Sequence, residues 1–73
     1  MRVFASYNGT EYVADKVILA DDGQIILERV QMLVNSPRGY GGQTWRRVPK
    51  PGIGPRIALG RAERKRRAAE TAS

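Results

Sequence analysis

The stretch Val3-Phe4-Ala5-Ser6-Tyr7-Asn8-Gly9-Thr10-Glu11-Tyr12-Val13-Ala14-Asp15 decides the fold. Asn8-Gly9 sits between two runs of β-forming residues. An Asn-Gly loop of this length takes a type I′ turn, because both central residues need positive φ. The loop fixes the register. Tyr7 faces Thr10, Ala5 faces Tyr12, Phe4 faces Val13, Val3 faces Ala14 and Arg2 faces Asp15. Side chains alternate along a strand, so Val3, Ala5, Tyr7, Tyr12 and Ala14 share a largely apolar face. Phe4 and Val13 lie on the other face with the opposed charges of Arg2 and Asp15, a pairing that supports the register.

A second hairpin follows. Ala20-Asp21-Asp22-Gly23-Gln24 separates two apolar runs. Asp-Asp-Gly suits a three-residue loop, a type I turn closed by a left-handed glycine. That register sets Leu19 against Ile25, Val17 against Leu27, Lys16 against Glu28 and Asp15 against Arg29. A two-residue loop would instead oppose Lys16 and Arg29, like against like. Between Gln24 and Val34, the positions Ile26, Val30, Leu33 and Val34 also match helical spacing, with Asp22 as an N-cap. The β-branched content and the preceding hairpin favour strand.

Working outward, residues 35–43 hold three Gly and one Pro and read as loop. Thr44–Val48 reads as a short strand. Residues 49–55, Pro-Lys-Pro-Gly-Ile-Gly-Pro, read as extended chain. Residues 61–70, Arg-Ala-Glu-Arg-Lys-Arg-Arg-Ala-Ala-Glu, favour helix by propensity, with Glu63 and Arg67 a favourable i,i+4 pair. That segment offers only alanines to a core and is short enough to be marginal alone. The expected architecture is mainly β: a small antiparallel sheet or partly open barrel of four to five strands. The β-domain spans 1–48, a Pro/Gly-rich arm 49–60 and a basic helix or disordered tail 61–73.

Charge divides along the chain. The 73 residues carry 13 Lys+Arg and 7 Asp+Glu, a formal net charge of +6. Residues 1–34 sum to 3 − 5 = −2, and residues 35–73 to 10 − 2 = +8. Such asymmetry points to a polyanionic partner, most often nucleic acid. Arginine dominates the basic set, ten against three lysines. High-GC codon usage accounts for that bias, and so does bidentate recognition of phosphate. The candidate phosphate contacts are Arg38, Arg46, Arg47, Lys50, Arg56, Arg61, Arg64, Lys65, Arg66 and Arg67. Tyr40 and Trp45 are the candidates for stacking on exposed bases. For Trp45 the competing role is filling the core of a small β-domain, and for residues 61–67 it is solubility.

Catalytic patterns are missing. There is no His and no Cys, so the commonest general base, the thiolate nucleophile and the commonest zinc ligands are all absent. The short Gly39-Tyr40-Gly41-Gly42 and Gly52-Ile53-Gly54 runs match neither a P-loop nor a dinucleotide fingerprint. Turn chemistry accounts for Asp21 and Asp22 without a metal. No enzyme activity, cofactor or metal is expected. No apolar run reaches the 18 residues of a membrane span, and the N-terminus lacks a signal-peptide pattern, so no membrane partner is expected and the cytoplasm, or a virion assembled there, is the expected compartment.

These features predict a small non-enzymatic binding protein that contacts nucleic acid, or a nucleoprotein complex, through its Arg-rich C-terminal arm. The alternative is a structural assembly subunit, for example of a phage capsid or tail, whose arms clamp neighbours. A small regulator of an enzyme is a third possibility. The core is small and has open sheet edges, so a homo-oligomer or a place in a larger assembly is also expected.

Overall fold

The computed structural model describes residues 2–35 and 42–72. Among these the chain forms six strands and one helix: β1 (Val3–Tyr7), β2 (Thr10–Ala14), β3 (Lys16–Leu19), β4 (Ile25–Glu28), β5 (Gln31–Asn35), β6 (Gln43–Arg47) and α1 (Ile53–Ala72). Two antiparallel sheets result, one in the order β1-β2-β5-β6 and one of β3 with β4. The protein is mainly β, as its alternating patterns predict, with one strand more than the upper expected number.

Both hairpins take the predicted register. In the first, Tyr7 pairs with Thr10 and Val3 with Ala14, around Asn8 at φ 51° and Gly9 at φ 78°. In the second, Lys16 pairs with Glu28 and Leu19 with Ile25. Gly23 sits at φ 87°, and hydrogen bonds between Ala20 and both Gln24 and Gly23 close the three-residue loop. Residues 24–34 form strands rather than a helix, and they hold two, β4 and most of β5. The break is Arg29, in the left-handed region at φ 52°. It turns the chain so that β4 stays with β3 while β5 crosses to β2 and β6.

The core lies on one face of the larger sheet. Val3 and Ala14 from that sheet meet Val17, Val30 and the fully buried Leu59, with Ala5, Tyr12, Leu27, Val48 and Ala62 packed around them. Leu59 comes from α1, which lies chiefly along β1 and reaches β2, β3 and β4. The helix approaches closely because residue 60 has no side chain: a Cβ there would stand 2.6 Å from Ile25 Cδ1.

Element boundaries shift from those the sequence predicts, and Asn35, expected in a loop, closes β5. The strand expected at Thr44–Val48 is β6, which starts at Gln43 and ends at Arg47. The helix begins at Ile53, not at Arg61, so irregular chain after β6 ends at Gly52. Pro55 closes the Pro/Gly-rich run that predicts extended chain, and proline breaks helix interiors. It stands here in the first turn, where the missing N–H would have had no intrahelical partner anyway. Beginning earlier gives the helix Pro55 and Leu59, both buried, as apolar groups that the alanine-only segment lacks.

Candidate nucleic-acid interface

The candidate cations fall into three groups. Arg56 is half-buried, and its Nη2 donates a hydrogen bond of 2.5 Å to the Ile25 carbonyl oxygen, which clamps the first turns of α1 to β4. Arg66 and Arg67 are tied to carboxylates. Arg66 donates to Glu63 through Nε at 2.8 Å and through Nη2, and its Nη1 reaches Glu70 Oε1 at 2.5 Å. Arg67 Nε lies 3.4 Å from Glu63 Oε1, the i,i+4 pair that the sequence spacing predicts. The third group is Arg46, Arg47, Lys50, Arg61, Arg64 and Lys65, all exposed and, among the described residues, in no salt bridge. Arg38 and Tyr40 lie outside the described residues.

Glu63 explains how the basic helix end is held. It is only 2% exposed, on the same stripe of α1 as Leu59 and Arg66. A lone buried carboxylate is costly; here arginines on the next turn meet it. The hydrogen bond from Arg66 lowers its pKa, burial opposes that, and the positive charges of Arg66 and Arg67 lower it further, for a net shift below the ordinary value of 4.5. A depressed carboxylate pKa contributes stability above the unfolded value, and that stability is lost as pH falls through the folded one. In thermal melts from pH 7 to pH 3, the wild type should therefore melt above Glu63→Gln at neutral pH. The gap should narrow as pH falls below about 4.5. Melting temperatures that run parallel over that range would show that the pair contributes nothing.

With Arg66 and Arg67 turned toward Glu63, Arg61, Arg64 and Lys65 occupy the side of α1 away from Leu59, as 3.6 residues per turn requires. They form a row of free cations on a helix whose opposite side is fixed in the core.

The other face of the larger sheet holds a second group. Phe4 and Trp45 stand on β1 and β6, the two outer strands. Three strand spacings, about 14 Å, separate those backbones, yet the ring centroids are 6.2 Å apart at 61°. The rings lean together across the face. Beneath them Val13, paired with Phe4, is 3% exposed although it faces away from α1. Phe4 itself is 59% exposed and Trp45 37%. Trp45 pairs with Leu33 and lies outside the core cluster, so it does not fill the core and remains accessible.

Arg47 lies two residues beyond Trp45 on that face, opposite Gln31. Arg29, Gln31 and Arg47 line one shallow cavity of about 340 Å³. Arg29 and Arg47 also line the adjoining cleft with Arg56. Phe4 and Arg29 were not among the candidates from sequence. Phe4 could have been found from its alternation out of the Val3–Ala5 face, whereas Arg29 reads in sequence only as the partner of Asp15. That ion pair exists but is loose, at 3.7 Å and well exposed, as is Arg2 with Asp15 at 3.6 Å.

No protein-family model, curated protein or solved structure matches the chain. No described helix is long and apolar enough to cross a membrane.

Proposed function

We propose that the chain is a small non-enzymatic nucleic-acid-binding protein, acting in the cytoplasm or in a virion assembled there, that contacts phosphates through the outward side of α1. One observation carries this reading. Arg61, Arg64 and Lys65 are exposed and, among the described residues, in no salt bridge, while both carboxylates of the helix, Glu63 and Glu70, are engaged by Arg66. The negative charge that would compete with phosphate is therefore occupied inside the helix. Several cations at fixed spacing release condensed counterions from a polyanion, which makes binding steeply dependent on salt.

The test is a titration of duplex DNA of mixed sequence at several salt concentrations. The plot of log K against log[salt] should fall with a slope corresponding to roughly 3–5 phosphates. Replacing Arg61, Arg64 and Lys65 together by Glu should abolish the slope while the far-ultraviolet spectrum is unchanged. No binding by the wild type in 50 mM salt would discard the reading. It would favour the assembly-subunit alternative, which β6 supports by having, among the described residues, a sheet partner on one side only, β5.

A further inference from the structure

We infer that the face of the larger sheet opposite α1 binds single-stranded nucleic acid, with bases stacking on Phe4 and Trp45 and the backbone running over Arg47 and Arg29. The inference rests on the nucleic-acid reading above but assigns a different surface and a different form of the ligand.

Four observations converge on that face. First, two aromatic rings are exposed there although the core on the other face needs large apolar groups. Second, their 61° inclination keeps them from stacking on each other, so a ring face stays open to a base. Every base has a π-face, but in a duplex those faces are already stacked on their neighbours. Aromatic platforms therefore select unpaired strands. Third, the cations are in step with the rings. Arg47 follows Trp45 by two positions on β6, about 6.8 Å along the strand, and Arg29 shares its cavity. Fourth, Arg29 is held at φ 52°, a conformation that suits glycine or asparagine better than a residue with a longer side chain. An arginine there places a guanidinium beside Arg47.

A protein partner fits this face less well. Its exposed rings are edged by arginine, and Val13 beside Phe4 is already buried. Glu11 and Asp15 are the carboxylates on the same face by register. Asp15 lies between Arg2 and Arg29 at distances that exposed pairs give up at little cost.

The chain has one tryptophan, so Trp45 fluorescence reports on this face alone. The intact protein is titrated with a short oligothymidylate, the matching oligouridylate and a duplex of equal length. Saturable quenching of Trp45 by a single strand, with little or none by the duplex, is the expected result. The two single-stranded arms tell DNA from RNA. Phe4→Leu keeps an apolar cover on Val13, and should weaken single-strand binding about fivefold or more while leaving duplex binding unchanged. Glutamate at positions 61, 64 and 65 should weaken both forms. Single strands that bind without changing Trp45 emission, or a Phe4→Leu protein that is folded and binds them as the wild type does, would overturn the inference and leave the helix reading standing. Failure to bind any nucleic acid would remove both.

Discussion

Leu59→Ala should leave most of the protein unfolded at room temperature, or lower its melting temperature by at least about 10 °C. Leu59 is the largest side chain with no exposure at all. It joins α1 to Val3 and Ala14 of the larger sheet and to Val17 of the small hairpin. Truncating a buried leucine costs about 2–5 kcal/mol, the loss of transfer energy plus the cavity left behind. A disulfide-free domain of this size rarely has more than about 3–5 kcal/mol to lose. The two sheets share no strand, so the helix is a principal connection between them, and a hole at its centre acts on both. Ile57→Ala, two residues away on the other side of the helix and exposed, is the control and should melt within a few degrees of the wild type. A Leu59→Ala protein melting with that control would mean that the hairpins, not the helix, hold the fold.

Local chemistry made the hairpins legible. Asn8-Gly9 and Asp21-Asp22-Gly23 each demand one turn geometry, and a turn in a hairpin sets every pair beyond it. The charge matches Arg2–Asp15 and Lys16–Glu28 then tested the register within the sequence itself. What was not legible depends on pairs far apart in the chain. Nothing near Gln31 states that β5 will lie between β2 and β6. The break that permits it is an arginine in a conformation that propensity assigns to glycine. The same limit applied to the helix. Its start was hidden by Pro55, whose effect depends on whether it falls in the first turn or the interior.

The candidate site was legible in composition and not in geometry. Charge counting identified the basic half correctly, but a count cannot separate Arg66, which neutralises a buried Glu63, from Arg64, which faces solvent. The helical period can separate them once the helix is known to include Leu59. Trp45 was a candidate on residue type alone. Its neighbour Phe4 stands forty-one positions away in sequence, 45 − 4, and only the sheet order brings the two rings together.

Deleting residues 61–73 should destabilise the fold, whereas deleting residues 68–73 should not. From sequence, the basic segment offers only alanine to a core and reads as dispensable. In the structure Ala62 packs on the core, Glu63 is buried and Arg66 lies partly over it. Ending the chain at Gly60 removes all three. It also places Leu59 in a terminal turn, whose carbonyls have no helical partner, in a helix of eight residues, too short to persist without packing. The expected cost is about 2–4 kcal/mol, part cavity and part fraying. That would appear as a melting temperature lower by roughly 10 °C or more. Ending the chain at Arg67 keeps Glu63 with both of its arginines; among the described residues it removes the exposed positions 68–71, the hydrogen bond from Thr71 Oγ1 to the Arg67 carbonyl and the outer pair from Arg66 to Glu70, an exposed pair of a kind worth less than about 1 kcal/mol. The two deletions also separate stability from binding. The shorter one retains Arg61, Arg64 and Lys65 and should bind duplex DNA with the slope of the full chain. If the longer deletion instead melted like the wild type, the basic end would be an independent tail. The row of free cations on α1 would then owe nothing to the buried side of the helix, and the fixed spacing on which phosphate binding relies here would be lost.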